Sequence, residues 1–274
     1  MKEIIGIDVG GSTTKIVAFR NGKMLCPQAV RAADPLTSLY GAFGKFTSEN
    51  SIPLEDIKKV IMTGVGSSFA DKPMYNISCQ KATEFECVGK GGLYLSDLDE
   101  AIIISMGTGS AIVKASRAGG KTETKYLGGT GVGGGTLVGL SKKLLGMDTV
   151  EHIEELATTG SLDNIDLKIS DISSSGALSL SKNMTASNFG KTSDIATSGD
   201  IALGIINMIF ETIGMMGIFA ARSEGVENIV LTGNLSRLTQ ANEIFMSLKE
   251  LFGVNFIIPE NSQFATAIGA ALSE

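Results

Sequence analysis

Residues 4 to 19 read IIGIDVGGSTTKIVAF. An apolar run reaches Asp8, a Gly-Gly-Ser-Thr-Thr turn follows, and a second apolar run starts after Lys15. This pattern predicts a β-hairpin with a small, hydroxyl-rich tip. The design returns later: AIIISM at 101–106, Gly107-Thr108-Gly109-Ser110, then AIVKA at 111–115. Two hairpins of one kind point to a diverged internal duplication. Their tips suit a polyphosphate, because glycines let backbone N–H groups approach it and hydroxyls donate to its oxygens. Asp8, at a strand end, can hold a metal ion directly or through water.

The rest of the chain alternates strands with helices, which makes the fold α/β. A third strand is expected after Gly22, a helix over 35–50 and a strand over 57–63 ending in Gly64-Val65-Gly66. Residues 77–88 read as mixed strand and turn. The block GGTGVGGG at 128–135 is too rich in glycine for regular structure at low cost, so it is a backbone surface leading into the helix TLVGLSKKLLG. Residues 149–158 are helical, and 160–200 are polar and irregular with short helices. A strand over 228–234 ends in Gly233-Asn234. Helix 239–252, strand 254–258 and closing helix 264–273 complete the order.

A length of 274 residues exceeds one small core and implies two domains or one large α/β unit. A net charge of −6 without a basic cluster argues against nucleic acid and against an anionic membrane surface. Cys26, Cys79 and Cys87 are few, odd in number and never spaced Cys-x-x-Cys, which fits a reducing cytoplasm. His152 is the only histidine, so a multi-histidine zinc site and a Ser-His-Asp triad are excluded; its polar helical context makes it a surface residue. The chain opens directly on a strand, so no secretory leader is expected. Residues 201–221 are long and apolar enough to span a bilayer. Asn207 and Glu211 lie one turn apart on one face, which favours a buried helix capped by Ser198 or Asp200. So apolar a helix needs cover on most sides, which points to a homodimer.

Two familiar glycine motifs fail. GTGVGG at 129–134 matches Gly-x-Gly-x-x-Gly, but no acidic residue closes a second strand about 20 residues on. Gly120-Lys-Thr and Gly190-Lys-Thr lack the first P-loop glycine, since Ala115 and Thr185 stand there. A better account lets four tips converge on one anion-binding cleft: Asp8–Lys15, Ser105–Ser110, Gly128–Thr136 and Thr232–Asn234.

Strand, phosphate turn, strand, repeated in two halves, resembles the superfamily of actin, sugar kinases and heat-shock chaperone ATPases. Within it the chain most resembles type II pantothenate kinases, over nearly its whole length. The resemblance rests on IDVGGSTTKIV, Thr-Glu-Phe-Glu at 83–86, SMGTGS, GGTGVGGGTLVGL, IDLK at 165–168, NMTASNFGK at 183–191 and the apolar helix with Glu211. It implies a two-lobed actin-like, ribonuclease H-like fold with the nucleotide cleft between lobes 1–100 and 101–274, the closing helix packing back toward the first. It implies phosphoryl transfer from ATP to pantothenate in the cytoplasm, with Mg²⁺ positioned by Asp8 through water. Glu84 would be the base, ahead of Glu86. The nucleotide would meet Gly10, Gly11, Ser12, Thr13, Thr14 and Lys15; Gly107, Thr108 and Gly109; Gly133 and the N–H groups of Gly134, Gly135 and Thr136; and, at the adenosine, Gly233 and Asn234.

One position departs from the family pattern. An arginine that helps bind the pantothenate carboxylate in many type II enzymes is replaced by Tyr126, beside Lys125. Those two are the candidate acceptor contacts, and Lys125 is no automatic substitute because a one-residue shift on a strand changes face. Two other readings stay open: a kinase for another small alcohol, and an ATPase switch resembling the activators of 2-hydroxyacyl-CoA dehydratases.

Overall fold

The computed structural model describes residues 3–11, 13–31, 34–173 and 182–273. The opening hairpin pairs β1 (Glu3–Val9) with β2 (Thr14–Arg20). β2 also pairs with β3 (Lys23–Met24) and β4 (Gln28–Val30). On its other edge β1 runs parallel to β5 (Ile57–Thr63), which runs parallel to β6 (Cys79–Lys81). Helix α1 (Pro35–Glu49) starts where the Asp34 carboxylate accepts from the Thr37 N–H, with Pro35 in the first turn. It covers one face of this sheet through Leu39, Phe43 and Phe46.

The second sheet runs in the order β13-β12-β7-β8-β9: β7 (Glu100–Met106), β8 (Ser110–Ala118), β9 (Lys121–Thr130), β12 (Asn228–Thr232) and β13 (Asn255–Ile257). Strand β7 shows the period of two. Ile102, Ile104 and Met106 join one core, Ala101 and Ile103 the opposite one. The first core holds helix α6 (Ser198–Glu224), with α3 (Gly134–Leu145), α4 (Val150–Ala157) and α7 (Thr239–Phe252) around it.

The opposite face meets helix α2 (Glu84–Ser96), and the inner face of the first sheet meets α8 (Ala265–Ala271). These two helices pack on each other between the sheets. Their axes approach closely because glycines line the contact. A Cβ on Gly91 would overlap the Ala265 carbonyl oxygen, and one on Gly269 the Cys87 carbonyl oxygen. The layers are therefore α1, sheet, α8 with α2, sheet, α6.

Three expectations change. Residues 84–96 are helix, not mixed strand and turn, so the 77–88 reading holds only for β6. The cap of α6 is Thr197, whose hydroxyl accepts from the Asp200 N–H while Asp200 accepts from the Thr197 N–H. Neither Ser198 nor Asp200 is the cap itself. The 160–200 stretch gains a small β10 (Leu167–Lys168) and β11 (Thr185–Ser187) pair and a one-turn α5 (Ile169–Ile172). Helix α6 is long and apolar enough to cross a membrane, yet 61% of its most apolar window is buried against protein.

Candidate active site

Asp8 and Lys15 face each other across the β1–β2 hairpin. Their charged groups lie 4.0 Å apart and almost shielded from solvent. Gly64, after β5, has φ +83°, and a Cβ there would fall 2.7 Å from Asp8 Oδ1. The Gly64 turn thus makes room for the carboxylate. Burial raises the Asp8 pKa to about 6; Lys15 pulls it down and Glu84 pushes it up. Burial lowers the Lys15 pKa, and the charges of Asp8 and Glu84 oppose that. The three groups form one electrostatic cluster. Glu84 opens α2, exposed, at the helix end that favours negative charge. In a helix Glu86 is turned by about 200° from Glu84, so the shared face of an extended segment does not exist here.

The tips converge as the turn pattern requires. Thr13, Gly107, Thr108, Gly134, Gly135 and Asn234 all line one cleft of ≈ 730 Å³. At its mouth Asn234 Nδ2 lies 3.4 Å from Thr13 Oγ1, joining the first hairpin to the turn after β12. Gly233 has φ +90° and presses on the Met106 backbone, where a Cβ would collide; its N–H donates to the Ser262 carbonyl.

Other nominated residues do different work. Thr14 is buried and its hydroxyl meets Ser38 Oγ at 2.8 Å, so it is tied to α1 and away from the cleft. The Gly10 N–H donates to the Thr13 carbonyl and closes the first turn, while Gly11 stands exposed at its tip. Ser12 lies outside the described residues. The Gly134 and Gly135 N–H groups donate to the Gly107 and Thr108 carbonyls, each at 2.8 Å. They are not free donors, which corrects the expectation that they point at a nucleotide. The Thr136 hydroxyl bonds the Gly131 carbonyl and receives the Gly133 N–H. A Cβ on Gly133 would fall 2.8 Å from Gly109, so the glycine block seats the second hairpin tip on the start of α3.

Lys125 and Tyr126 diverge. Lys125 Nζ pairs with Glu224 Oε1 at 2.7 Å, at the end of α6. Tyr126 stacks on Phe85, ring centroids 4.0 Å apart at 12°. The segment NMTASNFGK is anchored to α6. Glu211 accepts from Thr185 and from Asn188, and buried Asp166 accepts from the Phe189 N–H and from Asn207. The one-face arrangement of Asn207 and Glu211 is therefore a docking strip for that segment.

Sequence reasoning missed much of the cleft wall. Arg31, at the end of β4, reaches Glu151 of α4 at 2.8 Å across the cleft, and Arg237 lines the same wall. Glu151 is held below the usual carboxylate range, first by its backbone hydrogen bond and also by Arg31. No motif marks these residues; only their charges at element ends hint at them. GTGVGG follows an antiparallel edge strand, not the parallel strand of a dinucleotide-binding unit. His152 is exposed, as expected.

Residues 100–252 match the Fumble family model. The chain belongs to the Fumble family. Its relatives include a type II pantothenate kinase of Bacillus cereus, 29% identical over 293 aligned positions that cover 99% of this chain and 98% of that one. A type II pantothenate kinase of Staphylococcus saprophyticus is 27% identical over 239 positions, covering 84% of each. Solved structures similar to this Fumble-family chain include the ADPNP-bound activator of 2-hydroxyisocaproyl-CoA dehydratase from Clostridium difficile. Its TM-score is 0.67 at 18% identity, covering 98% of this chain and 93% of that one. A ROK family glucokinase from Streptomyces griseus gives 0.63 at 13%, covering 98% of both. At such identities these likenesses show the fold, that of actin-like ATPases and sugar kinases, as the repeated hairpins implied.

Proposed function

We propose that this chain is a pantothenate kinase, transferring the γ-phosphoryl group of ATP to the primary hydroxyl of pantothenate to give 4′-phosphopantothenate, the first step of coenzyme A biosynthesis. The observation that carries the reading is similarity to type II pantothenate kinases over essentially the full length of both chains. The geometry supports it: four turns line one cleft, and the hairpin that supplies Thr13 also carries the buried Asp8–Lys15 pair, on which Glu84 acts electrostatically.

The lobes are read as 1–100 and 101–274, with α8 returning to the first. Thr13, Thr108, Asn234 and the backbone around Gly107 and Gly134 line the cleft, and the turn at Gly233 is read as its adenosine side. Asp8 suits Mg²⁺, since a buried carboxylate with a raised pKa gains from a nearby cation, and a hard cation keeps water and phosphate oxygens as its other ligands. Bound there, the metal would neutralise charge on the β- and γ-phosphates. Lys15, 4.0 Å from the Asp8 carboxylate, supplies positive charge beside it. Glu84 takes the proton of the acceptor hydroxyl as the new O–P bond forms and the bond to the departing ADP oxygen breaks. Phosphoryl transfer asks little more of the protein than this positioning and charge.

The dehydratase activators share the fold only. Cys26 is exposed, Cys79 half-buried and Cys87 buried, and no two of them are spaced as the close pair that would hold an iron–sulfur cluster. The same reading takes the enzyme as cytoplasmic and as a homodimer contacting through α6, where Phe219 is 60% exposed and Met215 and Met216 are half-buried.

Glu84→Gln tests the assignment. Turnover should fall by about 10² or more with nucleotide affinity unchanged, while Glu86→Gln keeps most activity. Full turnover in Glu84→Gln would remove Glu84 as the base.

A further inference from the structure

A second cavity, of ≈ 300 Å³, is lined by α6, α7 and the segment that carries β10 and β11, and it shares no lining residue with the larger cleft. Ligand pockets start at about this size. Its apolar wall includes Leu203 and Met215 of α6 with Ile244 and Phe252 of α7. Such a wall takes up an alkyl or aryl body.

The unmet polar groups in this wall are all acceptors. Asn207 is 3% exposed and lines the cavity. Its Nδ2 donates to Asp166 Oδ2, while the other Asp166 oxygen accepts the Phe189 N–H. That pairing fixes the amide and leaves Asn207 Oδ1 without a partner among the described residues. Gln240, 8% exposed, spends its Nε2 on the Glu154 carbonyl, and its Oε1 is buried with no partner. Native folds leave few buried acceptors unmet.

The charge in the wall is negative. Glu211 accepts from two neutral groups, Thr185 and Asn188, so no cation offsets it among the described residues. Glu243 adds a second carboxylate, unpaired among the described residues. Lys168 is the one cation in the lining, and its Nζ is bound to Asp163 at 2.6 Å. Arg222 rests on the Phe252 ring from outside the lining. A primary ammonium group carries positive charge, three N–H donors and no acceptor, which complements this set. An alcohol offers one donor and no charge. A carboxylate would meet like charge with nothing to donate.

Beyond the kinase reading, we propose that this cavity is a binding site for an organic ammonium ion, a primary amine on an alkyl or aryl body, with Asn207 Oδ1, Glu211 and Glu243 receiving the ammonium group.

The test keeps one skeleton and changes its head group. Benzylamine, benzyl alcohol and benzoate are each titrated by calorimetry into the full chain at neutral pH, up to millimolar concentration. Benzylamine should bind about tenfold more tightly than benzyl alcohol, the scale of one charge-assisted hydrogen bond, and benzoate should not bind. Glu243→Gln should weaken benzylamine and leave benzyl alcohol unchanged, and Glu243→Lys should remove the preference. Ser247→Trp, which places a large ring at an exposed lining position of α7, should block both. Circular dichroism and melting temperature check that each variant folds. Equal binding of amine and alcohol overturns the proposal, because the cavity then reads only the apolar body. Benzylamine binding that survives Ser247→Trp lies elsewhere and overturns it too, as does no benzylamine binding at millimolar concentration.

Discussion

Asp8 sits where three demands meet: a strand end, a buried ion pair and a glycine turn that leaves space for its carboxylate. Desolvation lifts its pKa to about 6, against the pull of Lys15. The carboxyl is therefore neutral below that pH and anionic above it. A neutral carboxyl holds no cation, so kcat/KM should fall as pH drops through about 6 and level off above it. A profile flat between about pH 5 and about pH 8 would show that Asp8 does not titrate in this range. The hairpin holding Asp8 and Lys15 was legible because cross-strand register follows from a two-period pattern closed by glycine and hydroxyl residues. The fate of Thr14 was not, since its hydroxyl is claimed by Ser38 from a helix that no local pattern relates to the turn.

At the scale of elements, α2 shows why local reading stops short. Gly89, Gly91 and Gly92 each weaken a helix, and Thr-Glu-Phe-Glu-Cys alternates like a strand. The helix forms because those glycines admit neighbours: Gly89 meets Thr124, Gly91 meets the Ala265 backbone and Gly92 meets Ile103. Packing thus overrides propensity, and the override sets Glu84 at a helix start with Glu86 turned aside. Gly269→Ala places a methyl group on the Cys87 backbone, where no side-chain rotation relieves it. It should cost about 2 kcal/mol or more, read as a lower melting temperature, whereas the same change at the open Gly139 should cost far less. Equal melting temperatures would show that α2 and α8 separate without penalty. Helix α6, in contrast, was legible almost end to end because its apolar content is continuous; only its cap was misassigned, since Thr197 and Asp200 share the work.

Over the whole molecule, two sheets enclose α8 and α2, and the tips of both hairpins open into one cleft between them. Thr13–Asn234 and Arg31–Glu151 cross that cleft, so residues 221 and 120 positions apart meet at its edges. The duplication of the hairpins foretold the cleft. Its charged wall was invisible, because Arg31 and Glu151 lie 120 residues apart and meet only in the tertiary structure. A kinase cleft spends ATP on an alcohol rather than on water or a conformational switch. The direct measurement is ADP release by the purified protein with ATP and Mg²⁺, with and without pantothenate, with the product identified by mass. ADP release should depend on the acceptor and match 4′-phosphopantothenate mole for mole. ADP released at the same rate without pantothenate, with no phosphorylated product, would contradict it.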